Sequence, residues 1–128
     1  MLKIGTKNQV ELLVLKEHTA KVIQSGGLEV LATPVLIAVM EKCAWQSVQA
    51  DLEEGTDTVG TAIEMKHLSP TPIGLTVRCE SELISVNGRE LSFRIEAFDT
   101  DGKIGEAIHK RFIVKKDSLQ DKANRKLK

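Results

Sequence analysis

Apolar and polar positions along the chain sort into two periods. From Gln9 to Lys16 (QVELLVLK) branched aliphatic residues crowd between polar flanks, over a stretch short enough to be a β-strand. A polar connection follows and ends at Ser25-Gly26-Gly27, where the chain can turn freely. Thr33-Pro34 then opens one convincing helix. Threonine is predicted as its N-cap, and proline suits the first helical position because it has no N–H to leave unpaired. The helix is predicted to run to about Leu52. Val35, Leu36, Ile37, Ala38, Val39 and Met40 carry its apolar surface almost all the way round before Glu41 and Lys42 interrupt, so it must be wrapped.

Only strands remain to wrap it. Val59, Thr61, Ile63, Met65 and His67 alternate along one predicted face, and Leu75, Val77, Cys79 and Leu83 mark the same period in the next strand. Asn87-Gly88 predicts a tight hairpin with positive φ. Leu91, Phe93, Ile95 and Ala97 continue the pattern, Asp101-Gly102 turns the chain, and Ile104, Ile108, Phe112 and Val114 are predicted to line the last strand. The order is strand, helix, four strands. Short turns predict that the last four strands form an antiparallel meander, with the helix on its concave face. The fold class is α+β, a curved antiparallel sheet around one long central helix.

Composition narrows the picture. The 128 residues fit one domain, 1–128, with a core large enough to need no staples. Eighteen basic residues balance eighteen acidic ones, so neither nucleic acid nor an anionic membrane is an expected partner. The one asymmetry is residues 115–128, six basic and two acidic, read as a solvated C-terminal tail. Cys43 and Cys79 sit in apolar stretches without the paired spacing of a zinc site or disulfide framework, and are expected to be reduced and structural. The N-terminal sequence lacks the apolar run and cleavage site of a signal peptide, and Val30 to Met40 is too short to span a bilayer, so a cytoplasmic location is expected.

Three side chains stand out chemically. Glu41 has Ile37, Ala38, Ala44 and Trp45 as its helical neighbours, so it projects from an apolar face; the plain alternative is a structural or dimer-interface carboxylate. His67 shares the parity of Ile63 and Met65 at a strand end, which turns its ring toward the helix side; there it is either a packed histidine or the chain's general base. Thr33 is accounted for as an N-cap, yet it stands at a helix N-terminus, whose free N–H groups and positive potential suit an oxyanion. Pro34 cannot donate, so Val35 or Leu36 would supply that N–H. His18 and His109 show no evident acidic partner nearby in sequence. Neither a nucleophile elbow nor a phosphate-binding glycine loop is present.

Thr33 and Glu41 are eight residues apart, about 12 Å along a helix at about 1.5 Å per residue, so one helix does not easily bring both to one carbonyl. A two-fold dimer could, with Glu41 of one subunit against Thr33 of the other.

The run Val30 to Glu41 (VLATPVLIAVME), Val59-Gly60-Thr61, His67 to Gly74 (HLSPTPIG) and His109-Lys110-Arg111-Phe112 together resemble the fluoroacetyl-CoA thioesterase-like family of hot-dog-fold acyl-CoA thioesterases, over roughly residues 5–118. The resemblance implies a hot-dog fold and a homodimer with active sites at the subunit interface. Its catalytic threonine, glutamate and histidine map onto Thr33, Glu41 and His67, and it places Gly60 and Arg111 near the acyl group. The family's fluoroacetyl-specific member has a longer, aromatic-bearing segment before the helix, where this chain has Ser25-Gly26-Gly27-Leu28, and a glycine at the position of Pro34. The implied substrate is therefore another short acyl-CoA, or a broad set of them.

On this reading the chain is a thioester hydrolase. His67 is general base toward water or the Thr33 hydroxyl, and Glu41 either orients the attacking group or attacks the thioester itself. Coenzyme A enters only as part of the substrate, with no metal or redox cofactor implied. Exposed strand edges leave room for tetramers. The rival readings are a non-catalytic acyl-CoA-binding module and, ranked lower for want of an aspartate-histidine pair, a hydratase or dehydratase of related fold.

Overall fold

A computed structural model describes residues 1–127. Strand β1 (Lys7–Leu13) leads through a 3-10 turn into the short helix α1 (Ala20–Ile23), then the long helix α2 (Thr33–Ser47). A second 3-10 turn, Gln49–Asp51, precedes strands β2 (Thr56–His67), β3 (Thr76–Asn87), β4 (Glu90–Asp99) and β5 (Gly102–Lys115), and helix α3 (Lys116–Asn124) follows. The strands make one antiparallel sheet in the order β1-β3-β4-β5-β2, wrapped around α2 in a hot-dog fold.

The core forms where the period-2 rows of β3 and β4 meet one stripe of the helix. Val77, Cys79 and Leu83, with Leu91, Phe93, Ile95 and Ala97, bury against Leu36, Met40, Cys43 and Ala44 of α2. Each large side chain fully removed from water there contributes about 1.5–3 kcal/mol before entropy is counted. Cys43 and Cys79 lie in this core as free thiols.

Several sequence expectations need correcting. Only β3, β4 and β5 form a meander. β2 pairs with β5 at the far edge, because residues 68–75 carry the chain from the end of β2 across to β3 instead of reversing it. Along β2 a bulge between Gly60 and Ala62 shifts the parity, so Thr58 and Gly60, not Val59 and Thr61, share the inner face with Ile63, Met65 and His67. The inner row of β5 is Gly105, Ala107, His109 and Arg111, while Ile108 and Phe112 lie 43% and 38% exposed on the outer face. The hairpin after β3 has Gly88-Arg89 at its centre, closed by Asn87 opposite Glu90, with φ +63° at Gly88.

Helix α2 ends at Ser47, not near Leu52, and this chain covers only one side of it. Pro34, Ala38 and Trp45 stay exposed and Ile37 is partly so, along the stripe that carries Glu41. The C-terminal segment, read from the sequence as a solvated tail, forms helix α3, none of whose residues is buried; Lys128 lies outside the described residues.

Candidate active site

The chain entering α2 is held in place before the helix begins. Leu31 N–H donates to the Thr71 carbonyl, Ala32 N–H to the His18 carbonyl, and Ala20 N–H to the Val30 carbonyl. On the other side, Leu68 N–H donates to the Ile104 carbonyl and anchors the end of β2 on β5. These bonds bring the helix start and the strand end together. The N-cap is Ala32, so Thr33 is the first helical residue and Pro34 the second, one position later than the sequence suggested. A capping role for Thr33 is thereby corrected: its side chain makes no cap hydrogen bond, and its Oγ1 lies 2.8 Å from Nδ1 of His67.

His67 is half-buried, and its Nε2 is shielded from solvent without a hydrogen-bond partner among the described residues. Burial holds the imidazole below its ordinary value of 6.5, with the Ser69 backbone a weaker opposing influence. The ring is therefore neutral near pH 7 and able to accept a proton. Of the two backbone donors considered for an oxyanion, Leu36 N–H is engaged by the Ala32 carbonyl and the Leu36 side chain is fully buried. Val35 N–H makes no such bond to the residues before the helix, which leaves it as the candidate. An open cleft of about 320 Å³ runs past Thr33 and His67, walled by Ala20, Val30, Leu31 and Leu68.

Glu41 belongs to a second cluster. Its Oε2 is 3.9 Å from Nη1 of Arg111, which is 7% exposed against 42% for Glu41. Arg111 is fixed from behind: Nε donates to Thr58 Oγ1 at 2.8 Å and Nη2 to the Thr58 carbonyl at 2.9 Å. Its Nη1 lies 3.1 Å from Nε2 of His109, whose Nδ1 lies 2.9 Å from the Ala62 carbonyl at the β2 bulge. Burial lowers the pKa of Arg111, opposed by the charges of Glu41 and Asp57. Gly60 makes room for this arrangement, since a Cβ there would stand 2.7 Å from Glu41 Oε2 and 3.2 Å from His109 Cε1. A cleft of about 330 Å³ opens beside Glu41 between Ala38, Trp45 and Arg111.

The singled-out residues thus fall into two groups, Thr33 with His67 and Val35, and Glu41 with Gly60 and Arg111. Sequence reasoning missed Thr58 and set His109 aside. The usable signal was the His109-x-Arg111 spacing, which puts both side chains on one face of a strand.

The profile of the family described as FlK, fluoroacetyl-CoA-specific thioesterase, matches residues 14–117. A fluoroacetyl-CoA thioesterase from Streptantibioticus cattleyicolor is 38% identical over 98 residues, 77% of this chain and 70% of that protein. A solved structure of the fluoroacetyl-CoA thioesterase FlK superposes with a TM-score of 0.93 at 30% identity, covering 98% of both chains. A thioesterase superfamily member from Thermus thermophilus superposes with a TM-score of 0.90 at 25% identity, covering 98% of this chain and 93% of that one.

Proposed function

The chain belongs to the fluoroacetyl-CoA-specific thioesterase family, and from that premise we propose that it hydrolyses a short-chain acyl-CoA to the free acid and coenzyme A as a homodimer. The observation that carries the reading is the contact between the Thr33 hydroxyl and a neutral His67 at the start of α2. A threonine hydroxyl beside an unprotonated imidazole can be deprotonated, or can hold a water for deprotonation. In either case His67 receives the proton and returns it to the departing thiolate. Val35 N–H and the positive end of the helix face the oxyanion that forms as the carbonyl is attacked.

Glu41 of the partner subunit completes the site in this proposal. Two features support it. Glu41 sits on the uncovered stripe of α2, beside β2, the strand that ends the sheet and has a free edge for pairing. Thr33 and Glu41 also keep to separate clusters within one chain, so a site needing both takes them from two.

The test is thiol release by the purified protein across a panel of acyl-CoAs, from acetyl- and fluoroacetyl- to hexanoyl-CoA. Turnover of at least one short thioester is expected. Saturable binding without thiol release would replace this reading with a binding module, and consumption of an enoyl double bond with the thioester intact would point to a hydratase.

A further inference from the structure

Outside the Thr33–His67 pair, one imidazole is fully buried among the described residues, that of His109, only 1% exposed. Its two ring nitrogens face partners of fixed character. The Ala62 carbonyl, 2.9 Å from Nδ1, can only accept, so Nδ1 carries the proton. The Arg111 guanidinium, 3.1 Å from Nε2, can only donate, so Nε2 presents its lone pair. We infer that His109 is a positioning residue: as the neutral Nδ1–H tautomer it links the β2 bulge to Nη1 of Arg111, and so holds the guanidinium against Glu41 beside Gly60. The inference rests on the thioesterase reading for its effect on rate, but not for its geometry.

The groups packed around His109 make the neutral ring the stable form. Arg111 lies on its own strand and Glu41 faces it from α2, while β4 presents the Phe93 ring, 6.2 Å away between centroids, and β2 the Ala62 carbonyl and Ile63. Burial first, and Arg111 in addition, hold its pKa below 6.5 against the opposing pulls of the Ala62 carbonyl and Glu41. A proton on Nε2 would destroy the only acceptor for Arg111 Nη1 on this strand and set two cations 3.1 Å apart. Nε and Nη2 would stay on Thr58, but Nη1 would lose its acceptor and with it the fixed orientation toward Glu41. Acid therefore disables this arm of the site independently of His67.

Two measurements decide the matter. Imidazole nitrogen NMR of the folded wild-type protein should show His109 protonated on Nδ1 and bare on Nε2 at neutral pH. In steady-state assays, H109L should lower kcat/KM about tenfold or more, the size expected for losing one hydrogen bond to a charged group. H109Q, whose amide oxygen can accept from Arg111 but cannot titrate, should recover most of that loss and remove one ionisation from the acid limb of the pH–rate profile. An Nε2-protonated ring, or H109L and H109Q sharing the same rate and an unchanged pH profile, would overturn the inference. If the wild-type protein releases no thiol at all, the thioesterase reading fails, while the tautomer measurement still decides for or against His109.

Discussion

Oγ1 of Thr33 and Nδ1 of His67 are 2.8 Å apart, although 34 positions separate the two residues in the chain. One stands at the start of the central helix and the other at the end of the edge strand. Loop bonds on both sides, not the pair itself, set the distance. The hydroxyl is available because Ala32 occupies the cap position, so the helix makes no demand on the threonine side chain.

Replacing Thr33 with alanine should therefore separate activity from stability. T33A removes no cap bond from an exposed position, and unfolding in denaturant should shift by no more than about 0.5 kcal/mol. In the same assay T33A and H67A should each lower kcat by on the order of 10²-fold or more, the range for losing a positioned proton-transfer group. Retention of wild-type kcat by both would remove the pair from the mechanism.

The proposed composite site predicts that two inactive variants complement each other. In a mixed dimer of T33A and E41A chains, one site carries both changes and the other carries neither. Random mixing of equal amounts should restore roughly a quarter of wild-type turnover, since half of the dimers are mixed and each has one intact site. Mixtures no more active than the separate variants would mean that both groups act from the same chain.

Gly60 tests how closely Glu41 must be placed. In G60A the new methyl would meet Glu41 Oε2 at 2.7 Å and His109 Cε1 at 3.2 Å. The carboxylate ends a flexible side chain and can move, whereas the buried His109 ring, held at both nitrogens, must give by a few tenths of an ångström, so the fold should persist with a modest loss of thermal stability. A displacement approaching 1 Å should lower kcat/KM on the order of 10²-fold. Wild-type kinetics in G60A would show that the position of Glu41 is immaterial to turnover.

Stability should fall on the acid side of neutrality. His67 and His109 both have folded-state pKa values below the ordinary 6.5, chiefly through burial. As pH drops below 6.5, the unfolded chain binds protons that the folded protein refuses. Stability present above 6.5 is thus lost progressively, until pH passes the lower folded values and the loss levels off. Urea midpoints recorded between pH 8 and pH 5 should decline, and less steeply in H109Q. A midpoint that rises across this window would contradict the buried, neutral state of both rings.

Hydrophobic periodicity alone determined the class of fold: one apolar helix, strands on either side of it in sequence, and the inward rows of β3 and β4, where Val77, Cys79, Leu83, Leu91, Phe93, Ile95 and Ala97 alternate with only Ser81 breaking the apolar row. The family's motifs were equally legible, because Thr33, Glu41 and His67 stand within short local runs. Tertiary structure decided the rest. On β5 the inward row carries His109 and Arg111, so the greasier Ile108 and Phe112 looked like the core side, although they face outward. The parity change at Gly60 comes from a bulge visible only against the register of β5, and the pairing of β2 with β5 depends on contacts about fifty residues apart. His109 seemed partnerless because its partners come from residues 41, 62 and 111. Local sequence records which face of an element avoids water. Which polar groups meet across that face is fixed only once distant strands close on the helix.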